Sequence, residues 1–290
     1  MLPTINNFRV LARDRSGKDV FFRSSAIDRA SVADAAIIIN DLNIRTVVDF
    51  RTETENNFSS NEYLRENFSV SAIRIKQTSP TLEFEHKEIT NVNASRHVYC
   101  LSLFQSKAAL VYLKMLPFFQ MLYMGFLYLV DKIFNTKYFN KNLMSMVGQF
   151  GIRMVYRTMA LKSRSEICTV LKLINSGSKW PLLIMCSIGK DRTGMISALL
   201  QYIQGCSMEK IQEDYCISEV NLRRDIHIYR KAAIHYKVEL EEFIQSPKDL
   251  ILLFFEVVEE QSGSVEQWLN DGGFTFSEQQ ELRDKLESFS

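Results

Sequence analysis

Residues 182–205 read LLIMCSIGKDRTGMISALLQYIQG, which is an apolar run, a polar loop and a helical stretch in that order. The run at 182–186 predicts a short buried strand, because its apolar residues are contiguous rather than alternating. The stretch at 193–205 predicts a helix that ends at Gly205. Together with further short strands and helices along the chain, this order favours an α/β fold.

The loop from Cys186 to Gly194 contains the residue types of an anion-binding site. The first N–H groups of a helix lack partners and carry partial positive charge, so they bind a dianion. Gly189 allows a tight turn and a close approach of the chain to phosphate. The planar guanidinium of Arg192 can hold two phosphate oxygens at once. The same field favours the thiolate form of a cysteine, so we predict that Cys186 is a nucleophile.

These groups suit a two-step phosphoryl transfer. Cys186 attacks phosphorus, while Arg192 and the loop amides stabilise charge on the equatorial oxygens. An acid protonates the leaving oxygen, and water then releases phosphate. The hydroxyl of Thr193 is placed to donate a hydrogen bond to the sulfur. We expect no metal and no other cofactor to be needed.

The loop resembles the signature of cysteine-dependent phosphatases, in which a cysteine is followed by five residues and an arginine. Its GKDRTG form is similar to the atypical tyrosine and lipid phosphatases related to the mycobacterial secreted tyrosine phosphatase B. Further segments resemble that family in order along the chain: Asn7-Phe-Arg9, Val20 to Ser25, Val47 to Arg51 with Glu55, Asp214-Tyr215 with Ser218, and Gly263 to Leu269 with Gly273.

The resemblance implies a cysteine-phosphatase-like central sheet flanked by helices, with a helical lid insertion. It implies activity on phosphotyrosine and, in some members, on phosphoserine, phosphothreonine or phosphoinositides. By position, Cys186 matches the nucleophile, Arg192 the phosphate clamp and Asp191 an in-loop general acid, while Lys190 matches a lysine linked to inositol-phosphate recognition. The substrate phosphate would contact the remaining loop residues: Ser187, Ile188, Gly189, Thr193 and Gly194.

Two positions depart from the family pattern. Met185 stands where the wider superfamily usually has a histidine that helps to order the loop. The entry after Asn7-Phe-Arg9 also differs, because residues 10–13 read VLAR. The general acid has an alternative as well, since Asp49 lies at the carboxyl end of a predicted strand, where ligand sites of α/β sheets gather. Against that role, a buried Asp49 would pair with Arg51 or Arg23.

Composition limits the class of protein. With 290 residues, 46% of them apolar and 24% charged, the chain is a folded globular protein rather than a disordered one. A formal net charge of +1 argues against a nucleic-acid binder that acts through overall positive charge. The five cysteines form no CxxC pair, which indicates reduced thiols and a cytoplasmic location. We predict a single phosphatase domain over 1–290.

The segment 98–134 differs from the rest of the chain. Between Lys114 and Asp131 it has an uncharged run at 115–130, which is shorter than the roughly 20 residues of a membrane span. We favour a helical pair, buried or interfacial, with a break near Pro117. Residues 89–165 contain ten Lys and Arg and one acid, so this segment also suits peripheral contact with anionic lipid. We predict a helical lid insertion over about 98–160, with 98–134 acting as lid and membrane contact. The alternative is a lid that packs on the protein and closes over phosphotyrosine.

The rest of the chain predicts strands at 18–27, 44–51 and 70–76, and a loop over 77–95. Three functions stay open at this stage. The first is a protein-tyrosine or dual-specificity phosphatase that acts through a phosphocysteine, with phosphoinositides as a further candidate substrate. The second is a catalytically weak module that binds phosphorylated ligands. The third is a redox-sensing thiol protein in which Cys206 or Cys216 resolves an oxidised Cys186.

Overall fold

The computed structural model describes residues 2–53, 55–56, 58–77, 82–90, 94–103, 106–136 and 138–288. Within these ranges the strands are β1 (Arg9–Arg13), β2 (Asp19–Ser24), β3 (Thr46–Asp49), β4 (Phe68–Gln77), β5 (Glu83–Thr90), β6 (Arg96–Cys100) and β7 (Leu182–Met185). They form one mixed sheet in the order β1-β2-β7-β3-β6-β4-β5. The five inner strands are parallel, and β1 and β5 are antiparallel edges. The predicted α/β fold is confirmed.

Helices cover both faces of this sheet. In the described residues they are α1 (Val32–Ala36), α2 (Glu62–Asn67), α3 (Ser106–Met115), α4 (Phe118–Phe134), α5 (Tyr138–Gln149), α6 (Ile152–Lys162), α7 (Arg164–Lys172), α8 (Asp191–Ile203), α9 (Met208–Arg223), α10 (Arg230–Tyr236), α11 (Leu240–Ile244), α12 (Lys248–Ser262), α13 (Val265–Asp271) and α14 (Phe276–Glu287). The predicted strand at 182–186 and the helix after it are therefore confirmed as β7 and α8.

The central strand β7 shows why the sheet is buried on both sides. Leu182 and Ile184 belong to the large core formed with helices α6 to α8 and α12 to α14. Leu183 and Met185 belong to a second core on the opposite face, with α1 and α2. Because successive strand residues point to opposite faces, a strand covered on both sides needs contiguous apolar residues.

The sequence prediction of a loop over 77–95 is wrong, because β5 occupies Glu83–Thr90. This strand reads EFEHKEIT, and most of its residues are exposed or half-exposed. An edge strand with solvent on its surface does not need the apolar pattern by which buried strands are recognised. Pairing with β4 supplies its backbone hydrogen bonds. The predicted strands at 18–27, 44–51 and 70–76 correspond to β2, β3 and β4.

Helices α3, α4 and α5, which we call the lid, follow β6. Residues 98–100, assigned to the insertion from the sequence, lie in β6 instead. The predicted break near Pro117 is confirmed, since α3 ends at Met115 and α4 begins at Phe118. The lid has its own small cluster of buried side chains: Ala108, Tyr112, Met124, Leu127, Leu143 and Val147. None of the helices in the described ranges is both long and apolar enough to cross a bilayer.

Candidate active site

The loop Cys186–Lys190 lies at the carboxyl end of β7 and directly before the first turn of α8. Strands β2 and β3 flank β7 in parallel, so the loop leaves the middle of the sheet. Gly189 has φ +68°, and a Cβ there would lie 2.4 Å from the carbonyl carbon of Ser24. Both the backbone angle and the close approach therefore require glycine. Cys186 is 1% exposed at the start of this loop.

Side chains from distant parts of the chain hold the carbonyl groups of this loop. Asn7 Nδ2 donates to the carbonyl oxygen of Gly189 at 2.8 Å, and Arg23 Nη2 donates to the same oxygen at 2.8 Å. Asp214 accepts hydrogen bonds from Arg23 Nη1 at 2.7 Å and from Arg9 Nε at 2.8 Å. These contacts fix the loop from its outer side. They also explain why the Asn7-Phe-Arg9 and Asp214-Tyr215 segments accompany the loop.

The N–H groups of the loop peptides differ from the carbonyl groups in their hydrogen bonding. In the described part of the chain, no hydrogen bond has the N–H of Ser187, Ile188, Gly189 or Lys190 as its donor. These N–H groups adjoin the first turn of α8, where the helix dipole adds positive potential. Met185 cannot supply the hydrogen bonds of a histidine, so the ordering of the loop comes from Asn7 and Arg23 instead.

A carboxylate orients the loop arginine. Arg192 donates from Nη1 to Glu55 Oε2 and from Nη2 to Glu55 Oε1, each at 2.7 Å. Ser187 Oγ donates to Glu55 Oε1 at 2.7 Å, and the N–H of Thr52 donates to Oε2 at 3.0 Å. Although burial alone raises the pKa of Glu55, the charge of Arg192 and these hydrogen bonds hold it well below its usual range. The paired geometry fixes the plane of the guanidinium.

The in-loop aspartate is the first residue of α8 and joins a buried pair of tyrosines. Tyr156 on α6 donates its hydroxyl to Asp191 Oδ1 at 3.1 Å. The hydroxyls of Tyr156 and Tyr215 are 2.7 Å apart. Burial raises the pKa of both phenols well above the ordinary value, so both stay protonated. Asp191 therefore has one oxygen fixed by a neutral donor.

The loop lysine has partners of its own. Lys190 Nζ donates to the carbonyl oxygens of Phe243 at 2.7 Å and Gln245 at 2.8 Å. It also lies 3.6 Å from Asp191 Oδ1. The side chain is 1% exposed, and its charge ties the loop to the end of α11. Its predicted part in recognising an inositol phosphate stays a prediction.

A cavity opens beside the loop. Its polar lining consists of Glu55, Ser187, Lys190, Asp191, Arg192 and Glu242. The rest of its wall is mostly apolar. It comes from the lid, from α6 and the Gly151 before it, from Ile188 of the loop and from residues 238–243, and consists of Val147, Gly148, Gly151, Ile152, Val155, Met159, Ile188, Val238 and Phe243. Cys186 is not among the lining residues, although its loop neighbours are. The cavity thus combines three acids, two cations and a largely apolar wall.

Asp49, the alternative acid, lies elsewhere. It is fully buried and accepts hydrogen bonds from Arg51 Nη2 at 2.8 Å and from Asn56 Nδ2 at 3.1 Å. Arg51 in turn pairs with Asp28. The expected ion pair between Asp49 and Arg51 is confirmed. Asp191 lines the cavity, whereas Asp49 is not among the lining residues.

Comparison with known proteins identifies the family. The sequence matches the model of a tyrosine phosphatase family over residues 1–288. The chain belongs to this tyrosine phosphatase family. A particular likeness to the mycobacterial enzymes stays a prediction.

Two individual proteins give narrower matches. A segment of 53 residues is 34% identical to the protein named "Putative tyrosine-protein phosphatase OCA1" from Yarrowia lipolytica (strain CLIB 122 / E 150), and covers 18% of this chain. The match spans 21% of the length of that relative. The crystal structure of the core catalytic domain of the PP-IP phosphatase SIW14 from S. cerevisiae, in complex with citrate, is 12% identical. The structural match between the two covers 91% of this chain and 94% of the SIW14 chain, with a TM-score of 0.38.

The structure brings most of the predicted loop residues of this phosphatase to one place. Ser187, Ile188, Lys190, Asp191 and Arg192 line the cavity, and their roles in catalysis and substrate binding stay a prediction. The others are buried beside it: Cys186, Gly189, Thr193 and Gly194. The hydroxyl of Thr193 has no hydrogen-bond partner among the described residues, so its bond to the sulfur stays a prediction.

The sequence analysis does not predict the roles of four side chains that act on the loop residues: Asn7, Arg23, Glu55 and Tyr156. Asn7, Arg23 and Glu55 belong to segments that resemble the family, but the resemblance gives them no contact with the loop. Glu55 comes shortly after Asp49 and Arg51 at a strand end, so the sequence indicates a cluster of charged residues there. It does not indicate which of the acids pairs with Arg192. For Tyr156, 35 positions before Asp191 on another helix, the sequence holds no such signal.

Proposed function

We propose that the chain is a cysteine-dependent phosphatase that hydrolyses phosphotyrosine in proteins. The observation that carries the proposal is the Cys186–Lys190 loop before α8, with Arg192 held by Glu55 at two points. The loop N–H groups donate no hydrogen bond within the described chain, and a guanidinium lies two residues further on, so together they would bind a dianion. Membership of the tyrosine phosphatase family supports this reading.

The reaction proceeds in two steps. Cys186 Sγ attacks phosphorus as a thiolate, an S–P bond forms, and the P–O bond to the phenol breaks. Asp191 gives its proton to the departing phenolate oxygen. Water then attacks the phosphocysteine, Asp191 takes a proton from that water, and the S–P bond breaks to release phosphate. The loop amides and Arg192 stabilise the equatorial oxygens in both steps.

The cavity favours an aromatic phosphate ester. Among its described lining residues, the cations are Lys190 and Arg192, and each already has a protein partner. Three acids share the cavity: Glu55, Asp191 and Glu242. A headgroup with several phosphates would need more cations, whereas a phenyl ring fits an apolar wall. Phosphoinositide hydrolysis is thus the second candidate, supported by the excess of bases over 89–165.

A substrate panel tests the proposal on the full chain. The panel contains a phosphotyrosine peptide, a phosphoserine peptide, soluble inositol polyphosphates and vesicles with each phosphoinositide. We expect the highest kcat/KM for the phosphotyrosine peptide. A higher value for a phosphoinositide would replace the substrate assignment but keep the chemistry.

A cysteine pair tests the chemistry. Cys186→Ser should abolish turnover, with a loss of about 10⁴-fold or more, because the nucleophile is removed. Cys206→Ser is the matched control, since Cys206 lies after α8 and outside the cavity, and it should keep wild-type turnover. If wild-type protein binds the peptide but turns over no member of the panel, the chain is a binding module instead. Loss of activity in both variants would point to thiol redox chemistry. A cytoplasmic location stays a prediction.

A further inference from the structure

Helix α4 exposes one continuous apolar face. The side chains of this face, which we call the α4 face, are between 53% and 82% exposed: Phe118, Phe119, Leu122, Phe126, Leu129 and Ile133. With 3.6 residues per turn they fall within an arc of about 100°. Met124 and Leu127, on the other side of the helix, are buried in the lid cluster. The lid therefore packs through one side of α4 and leaves a second apolar side in water.

Such a face calls for a partner. Contiguous exposed apolar patches are rare on monomeric soluble proteins and mark interaction sites. Burial of Phe119, which is 82% exposed, and of its neighbours would remove a large unfavourable contact with water. The described helices do not cross a bilayer, so a lipid partner would be met at its surface.

The charges around the α4 face indicate the sign of the charge on its partner. Lys114 precedes the helix, Lys132 lies on its flank, and Lys141 is exposed on the neighbouring α5. In the described part of the lid the one acid is Asp131. Its carboxylate accepts hydrogen bonds from the Thr136 hydroxyl at 2.5 Å and from the N–H groups of residues 138 and 139, at the start of α5. The surface beside the apolar face is thus positive.

We propose that the α4 face inserts into the surface of an anionic lipid bilayer, with Lys114, Lys132 and Lys141 against the headgroups. An apolar helix face with flanking lysines gains both from burial below the headgroups and from attraction to anionic lipid. A second copy of the chain fits less well, because two such faces would bring their lysines together. The proposal goes beyond the phosphatase activity and does not depend on Cys186.

Vesicle flotation of the full chain tests the proposal. We expect the wild-type chain to float with phosphatidylcholine/phosphatidylserine vesicles and to stay in solution with phosphatidylcholine alone. Phe119→Ser combined with Phe126→Ser should weaken the binding about a hundredfold, since two inserted rings are lost. Lys114→Gln and Lys132→Gln should each weaken it about fivefold, with a stronger effect at low salt.

Phe276→Ser is the matched control, because Phe276 is 52% exposed on α14, outside the lid, and should float like the wild type. Circular dichroism checks that each variant is folded. Failure of the wild-type chain to float with anionic vesicles would overturn the proposal, and so would flotation of the double variant at wild-type affinity. Equal binding to both vesicle types would overturn the role of the lysines. A wild-type dimer that the double variant converts to a monomer, without flotation, would assign the face to a second copy.

Discussion

The loop at 186–190 and the lid at 106–149 are held in the structure by different kinds of contact. The loop is held by distant side chains through short hydrogen bonds: Asn7 and Arg23 fix Gly189, and Lys190 is tied to residue 243. The lid holds together through a small apolar cluster and leaves the α4 face exposed. The difference teaches that the loop is held by polar contacts from within the chain, whereas the lid leaves an apolar surface that no described residue covers.

Replacement of Asp191, the proposed general acid, should have the largest effect and tests whether the loop region alone performs the chemistry. Asp191→Asn should lower kcat for a phosphotyrosine peptide by about 10²–10⁴-fold, because the leaving phenolate then receives no proton. An aryl phosphate with an acidic phenol, such as p-nitrophenyl phosphate, needs little protonation and should lose much less. Steady-state kinetics on the two substrates measure the difference.

Asp49→Asn is the comparison variant for that test. It leaves Arg51 short of a buried partner, so it should lower the free energy of unfolding by about 3–5 kcal/mol. It should not show the dependence on the leaving group, since Asp49 does not line the cavity. If Asp49→Asn showed that dependence and Asp191→Asn did not, the two acids would have to exchange roles.

Asp214 tests the frame behind the loop. It pairs with Arg23, whose side chain is 0% exposed, and with Arg9. Asp214→Asn should lower the free energy of unfolding by about 3–5 kcal/mol, because it leaves a buried guanidinium without its charge partner. Urea denaturation measures this loss. Hydrogen exchange should rise at Ala26 and Gly194, whose N–H groups donate to the carbonyl oxygens of Ser187 and Lys190, and stay unchanged in α4.

Asp19→Asn is the control for Asp214. Its partner Arg13 is 62% exposed, so loss of this surface pair should cost about 0–1 kcal/mol. Equal losses in the two variants would mean that the network around Arg23 gives the loop no special support. Faster exchange in α4 of Asp214→Asn would mean that the loop and the lid are one cooperative unit.

Glu55 tests the orientation of the phosphate clamp. Glu55→Gln keeps the shape but removes the charge that fixes Arg192, so kcat/KM should fall by about 10²–10³-fold. Glu53→Gln, an exposed acid two positions away, should leave kcat/KM unchanged. Wild-type activity in Glu55→Gln would show that the loop amides alone orient the substrate.

Glu55 also makes the stability of the fold depend on pH in the acid range. The pKa of Glu55 is held below its usual value of 4.5 in the folded chain. A depressed pKa stabilises the fold at neutral pH, and this stability is lost as the pH falls below 4.5 towards the folded value. The Tm of the wild type should therefore fall steeply as the pH decreases through that range. Glu55→Gln should show a shallower dependence on pH.

The two regions also differ in how far the sequence predicts them. The strand, loop and helix at 182–205 are predictable because each depends on neighbours within a few residues. The pairing of Arg192 with Glu55 is not, because 137 positions separate them and several acids compete. Strand β5 escaped prediction because an exposed edge has no apolar pattern. In the lid, the sequence shows the apolar run at 115–130, but only the fold shows which side of α4 is buried.

Tyr156 is the point where the two regions meet, because α6 follows the lid and carries the hydroxyl that donates to Asp191. Tyr156→Phe should lower kcat by about tenfold, since one hydrogen bond to a charged group is lost. The loss should be larger for a phosphotyrosine peptide than for p-nitrophenyl phosphate, because the less acidic phenol depends more on protonation by Asp191. Tyr202→Phe is the matched control, as Tyr202 donates to Glu266 at the same 3.1 Å but outside the cavity. An equal loss on both substrates in Tyr156→Phe would make the tyrosine a packing residue and separate the acid from the lid side of the molecule.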